Sequence, residues 1–185
     1  MIRPDSWIAQ MARDARMIEP FASSQVKKAN ISYGLSSYGY DVRIADEFKL
    51  LRPQAKDFVV DPKALSDAHF SSCTVKEYVI LPPTSFALGR SVEYFRIPRN
   101  VLALCFGKST YARSGIIVNI TPLEPEWEGF ITISIANTSS HPAKVYAGEG
   151  IAQIVFLESV DACGVSYKDR KGRYQAQAGI TLPKV

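Results

Sequence analysis

From Glu47 onward the apolar residues of this chain come in runs too short for helices and patterned for strands. Phe48-Lys49-Leu50, Phe58-Val59-Val60, Tyr78 to Leu81, Phe86-Ala87-Leu88 and Val101 to Phe106 follow one another, punctuated by Pro53, Pro62, Pro82-Pro83 and Pro98. Ile116 to Ile120, Phe130 to Ala136, Ala143 to Tyr146 and Ile151 to Leu157 continue the series. Short alternating or apolar runs bounded by proline and glycine, repeated at regular spacing, predict an all-β sandwich or barrel. One segment breaks the rule. Ser6 to Met17 sets Trp7, Ile8, Met11, Ala12 and Ala15 on one face, which predicts an N-terminal helix with Ser6 as its N-cap after Pro4 and Asp5.

The 185 residues suffice for one domain with a substantial core, and no Pro/Gly/Ser-rich or charged run divides them. The net charge of +4 is mild and its cations are scattered, which suits an anionic small molecule better than a nucleic-acid groove. Met1 to Pro20 carries Arg3, Asp5, Arg13, Asp14 and Arg16, so it has neither the apolar centre of a signal peptide nor a membrane span. A cytoplasmic protein is expected. Cys73, Cys105 and Cys163 are odd in number and far apart, as ordinary reduced thiols would be.

Three stretches carry chemistry. Gly107-Lys108-Ser109-Thr110-Tyr111-Ala112-Arg113 ends an apolar run with a glycine, two hydroxyls and two cations. Such a turn offers backbone N–H groups, hydroxyl donors and fixed charge to a phosphate chain, and a guanidinium stays charged at any ordinary pH. It is not a P-loop, since that motif needs a glycine where Leu102 stands. In Ile31 to Ile44, Gly34 and Gly39 indicate close backbone approach, and Asp41 is a carboxylate within a strand pattern. Asp41 is either functional or paired with Arg43 or another cation. Tyr167 to Val185 is polar, and composition alone makes it a disordered end.

GKSTYARSGIIVN, TPLEPEWEGFITI, ISYGLSSYGYDVR, TSFALGR, VEYFRIPRN and EGIAQIVF together resemble the bacterial dCTP deaminases, from Trp7 to the C-terminus. The resemblance implies a distorted jelly-roll-like barrel of the dUTPase-like type and a homotrimer with active sites between subunits. It implies hydrolytic deamination of dCTP to dUTP and ammonia, with Mg2+ riding on the triphosphate and dTTP as a feedback inhibitor. Neither a nucleic acid nor a membrane partner is implied. Lys108, Ser109 and Thr110, with Tyr111 and Ala112 in the same turn, match the family's phosphate-binding turn, and Ser109 and Arg113 match residues flanking the reacting base. Thr132 and Ile133 would offer strand backbone to the cytosine edge, Glu124 would meet the sugar 3'-hydroxyl, and Gln153 would contact nucleotide. Tyr167, Arg173, Tyr174 and Gln177 match a segment that folds over the triphosphate, with Gly172 and Gly179 as its hinges.

With only His69 and His141 and no paired cysteines, the chain lacks the ligand pattern of zinc deaminases, so a side chain must activate the water. In the family this is a glutamate on the strand after the W-x-G turn. Counting from Trp127-Glu128-Gly129, the chain has Ser134 there. A serine hydroxyl orients water but takes no proton near neutrality without a base of its own. Loss of a general base costs about 10² to 10⁴ in rate. Glu126 and Glu128 read as solvated residues of a turn. A silent dCTP- or dTTP-binding relative, a variant inactivated by replacement of the glutamate, and a dUTPase-like pyrophosphatase using Glu124 are the alternatives.

Overall fold

The computed structural model describes residues 1–27, 31–55 and 57–184. Helix α1 (Asp5–Asp14) precedes β1 (Ile18–Glu19), β2 (Gly34–Ser36), β3 (Gly39–Leu51), β4 (Phe70–Thr74), β5 (Tyr78–Leu81), β6 (Phe86–Arg96) and β7 (Val101–Gly107). The short helix α2 (Ser109–Ala112) then leads to β8 (Ile116–Asn119), β9 (Glu128–Asn137), β10 (Ala143–Tyr146) and β11 (Gly150–Glu158). The main sheet runs β7-β11-β3-β6-β9-β8, with β1 on β6 and both β2 and β4 on β3, while β10 and β5 pair separately. Its ends nearly meet. A Cβ on Gly107 in β7 would lie 3.2 Å from Val118 Cβ in β8, so the sheet curls into the expected distorted barrel.

Two expectations need correction. Helix α1 starts at Asp5 with Pro4 at its N-cap and no side-chain cap, so Ser6 lies inside the first turn. Proline is suited to a helix start because a missing N–H costs nothing there, and Ile8 and Ala12 still form the buried stripe. Phe58-Val59-Val60 form no strand. They lie between Pro53 and Pro62 without a ladder partner, and Val59 and Val60 are exposed.

Strand β9 carries Thr132, Ile133 and Ser134. Its odd positions Gly129, Ile131, Ile133, Ile135 and Asn137 are buried, whereas Glu128, Phe130, Thr132, Ser134 and Ala136 are half-buried on the other face. Alternation therefore turns Ser134 out of the core. Opposite β9, strand β6 bulges between Arg90 and Tyr94, and Ser91 bridges the defect by donating to Glu93 O (2.6 Å) and accepting from Ile131 N–H (2.8 Å). Within that bulge Glu93, fully buried, accepts Arg43 Nε–H at 2.7 Å and Arg43 N–H at 3.0 Å. Arg43 in turn packs over the Tyr33 ring at 4.6 Å.

Candidate functional site

The phosphate-type turn is held from beneath. Strand β7 ends at Gly107, and Lys108 N–H donates to Ile151 O at 3.0 Å before α2 begins. Tyr111 points inward and is 3% exposed, and its hydroxyl accepts Tyr146 N–H at 3.0 Å. Burial pushes this phenol up to about 12. Its side chain is thus committed to the core, and only its backbone belongs to the turn. Ser109, Thr110, Ala112 and Arg113 are exposed. Among the described residues, the side chains of Ser109, Thr110 and Arg113 have neither a hydrogen-bond nor an ion-pair partner.

Lys108 differs from its neighbours. Its ammonium pairs with Asp41 Oδ2, which also accepts Gln25 Nε2–H at 3.1 Å. Asp41 is therefore paired, but not with Arg43, because buried Glu93 claims that guanidinium. Gln153 stands opposite both Asp41 and Phe106 across β11 and donates to Ser36 Oγ at 3.0 Å. A cavity of ≈ 690 Å³ opens beside the turn, lined by Lys108 and Thr110 together with Lys27, Glu77, Tyr146 and Glu149.

The second region lies on the outward face of β9. A cavity of ≈ 910 Å³ brings together Glu124, Thr132, Ser134, Tyr167, Tyr174 and Gln177, six of the residues singled out in the sequence. The sequence did not point to Asn119, which also lines it; Asn119 ends β8 directly opposite Ser134. A polar residue closing the apolar run Ile116 to Val118 was the available signal. Lys108, Ser109, Thr110 and Arg113 do not line this cavity. Glu124 is its one lining carboxylate among the described residues, and it pairs with Arg170. Glu126 pairs with Arg99 (2.6 Å) rather than being merely solvated. Glu128 opens β9 on the face of Ser134, but six positions away, about 20 Å along a strand.

The polar tail is docked over this cavity, not disordered. Phe130 N–H donates to Gln177 O (2.9 Å) and Ala176 N–H to Glu128 O (2.9 Å), while Trp127 Nε1–H donates to Tyr174 O at 2.8 Å. Thr132 Oγ1 donates to Gln177 Oε1 and accepts Thr181 N–H, both at 3.0 Å. Gly129 permits the docking: its φ is +143°, and a Cβ there would lie 2.7 Å from Gln177 N. A Cβ on Gly172 would meet the Tyr167 ring at 2.1 Å, so this glycine serves close packing. Gly179 has no such neighbour. Arg173 is exposed and donates to Lys184 O at 3.0 Å.

Between the end of β8 and the docked tail, the edge of β9 is open at Thr132 among the described residues. Phe130 N–H faces the tail, so strand alternation turns the N–H and C=O of Thr132 to that same edge and those of Ile133 toward β6. Ile133 is fully buried. The arrangement offers a backbone donor and acceptor beside the Ser134 hydroxyl, roofed by two tyrosines.

Comparison with known proteins shows the family. Residues 2–159 match the model of a family described as dCTP deaminase-like. The dCTP deaminase of Azotobacter vinelandii is 60% identical over 188 residues, covering 99% of this chain and 98% of that protein. That of Helicobacter hepaticus is 58% identical over 186 residues, covering 100% and 98%. The crystal structure of 2'-deoxycytidine 5'-triphosphate deaminase from Agrobacterium tumefaciens superposes with a TM-score of 0.65 at 13% identity, over 85% of this chain and 48% of that one, a likeness of fold. No helix among the described residues is long and apolar enough to cross a membrane. The chain belongs to the dCTP deaminase-like family.

Proposed function

We propose that this chain binds dCTP, with Mg2+ carried on the triphosphate, and hydrolyses it to dUTP and ammonia at a rate held low by Ser134. The observation that carries the proposal is the cavity at Ser134, where an open strand edge, a hydroxyl and a docked tail converge in a chain about 60% identical to a dCTP deaminase. The proposed protein is a single domain, from about residue 167 a cover for the nucleotide, working in the cytoplasm in the supply of pyrimidine deoxynucleotides. We further propose a homotrimer in which the turn of one subunit faces the Ser134 cavity of the next. The separation of the turn from that cavity within one chain supports this arrangement.

In the proposed reaction a water oxygen adds to C4 of the cytosine ring as one of its protons passes, by way of a proton acceptor, to ring N3. The C4–N4 bond then breaks as the remaining hydroxyl proton passes to N4, which leaves as ammonia while a C4 carbonyl stays on the ring. The backbone of Thr132 matches a base edge, reading it by donor and acceptor without a dedicated side chain. Ser109 and Arg113 contribute a hydroxyl and a planar cation, suited to orienting the water and stabilising negative charge on the ring. Ser134 can hold the water but has no basic form to receive its proton. Binding and chemistry therefore separate.

Calorimetric titration with dCTP and magnesium tests the binding half: saturable binding supports it, and none at millimolar nucleotide contradicts it. Ammonia release separates a slow enzyme from a silent binder. A second reading has a specific observation behind it, since Glu124 is the carboxylate that lines the cavity. Pyrophosphate released without ammonia would make Glu124 the group positioning water at the α-phosphate.

A further inference from the structure

Of the two cations in the turn, one is spent internally. Lys108 and Asp41 form a nearly dry pair, with side chains 14% and 4% exposed, whereas Arg113 has no ion-pair partner among the described residues. The carboxylate also receives Gln25 Nε2–H at 3.1 Å, and the Gln25 segment is tied in turn by Val26 N–H to Tyr33 O (2.8 Å) and Tyr33 N–H to Val26 O (3.2 Å). Asp41 sits on β3 between Gly34 and Gln153, so its position is set by strand pairing on both sides.

We infer that Asp41 is a positioning residue for the nucleotide: it fixes the Lys108 ammonium beside the turn and keeps its hold while Lys108 contacts phosphate. The inference rests on the nucleotide-binding reading above. An ammonium carries three N–H donors, so the bond to Asp41 leaves two for phosphate oxygens. A free lysine would lose its side-chain freedom on binding, and the ion pair removes that freedom beforehand. Asp41 is not a stand-in anion for phosphate to displace. Were Lys108 to leave, a buried carboxylate would remain with only the Gln25 amide, which costs more than keeping the pair. Because the pair is neutral overall, Lys108 supplies directed hydrogen bonds, and the unmasked charge of the turn is that of Arg113.

The test is calorimetric titration of dCTP with magnesium into the unmodified chain, Asp41→Asn, Asp41→Glu, Lys108→Met and the double variant Asp41→Asn/Lys108→Met. Each single variant should weaken binding at least about tenfold, the size of one hydrogen bond to a charged group. The double variant should bind no worse than Lys108→Met, because Asp41 acts through that ammonium. Should Asp41→Asn fail to fold, Asp41→Glu keeps the charge and moves the ammonium, and weakened binding by that variant supports the inference equally. Equal or tighter binding by an Asp41 variant, or penalties that multiply in the double variant, would overturn the inference and leave nucleotide binding intact. Failure of the unmodified chain to bind dCTP overturns both.

Discussion

The turn at Lys108 to Arg113 and the cavity at Ser134 are built on opposite plans. The turn stands in solvent on a rigid base: Tyr111 pins it to the core, Ile151 takes its first N–H, and Asp41 fixes its lysine, while Ser109, Thr110 and Arg113 face outward. The cavity is partly open and mostly apolar, bordered by a tail that is itself hydrogen-bonded to β9, with its one described carboxylate already paired with Arg170. One region presents exposed hydroxyls and charge; the other presents shape, an open strand edge and, among the described residues, no unpaired carboxylate. On the proposed reading the turn supplies contacts to the nucleotide and to developing charge, and what the cavity lacks is a group to take the proton of the water.

The base of the turn is the place to break this contrast most severely. Glu93→Gln removes the buried counter-charge of Arg43, two residues from Asp41 on β3, and should cost about 3–5 kcal/mol in thermal or denaturant unfolding. Unchanged stability would show that the barrel does not hold the turn through this pair. On the turn itself, Arg113→Ala in a Ser134→Glu background should lower kcat/KM by about 10² to 10³, as loss of one donor to developing charge does, and Arg113→Lys should recover little of it. Full recovery by lysine would mean that charge alone suffices.

Two smaller changes sharpen the contrast from the side of the cavity. Gly129→Ala forces a side chain into a backbone with φ +143° and against Gln177, and should loosen the tail by about 1–3 kcal/mol. Faster amide exchange at Phe130 with none at Ala112 in the turn is the expected signature. Acid should act on the same segment more gently. Arg99 Nη2–H at 2.7 Å, with Ser166 N–H at 3.0 Å, holds the Asp169 carboxyl down to about 2. A depressed carboxyl stabilises the fold above its ordinary titration range and loses that contribution as pH falls through its folded value. The Ser166 amide should therefore gain exchange between about pH 4 and about pH 2, a window set by the ordinary carboxylate value and the depressed one.

Much of the molecule is legible in its sequence because it is periodic. Tyr78 to Leu81 and Ala143 to Tyr146 match β5 and β10 residue for residue, since alternation and bounding prolines act locally. Strand β3 runs longer than its pattern predicts, because Ala45-Asp46-Glu47 interrupts the apolar run while β4, β6 and β11 pair along its length. The partner of Asp41 lies 67 residues away, so the strand pattern around it could not say which cation it would meet. Composition misleads on the tail for a similar reason. Its order comes from backbone hydrogen bonds and from a glycine on another strand, neither of which is written in the polarity of Tyr167 to Val185.

The proposed function has binding and chemistry part at Ser134, and its replacement tests that separation most directly. It faces the cavity beside the open edge of Thr132, where a carboxylate could take the proton that a hydroxyl cannot. Ammonia release from dCTP and calorimetric affinity should be measured for the unmodified chain and for Ser134→Glu. Turnover should be higher by at least about two orders of magnitude in the variant, with affinity changed far less. Rapid deamination by the unmodified chain would contradict this and make Glu124 the next residue to replace, and so would a variant that binds dCTP as before yet turns over no faster.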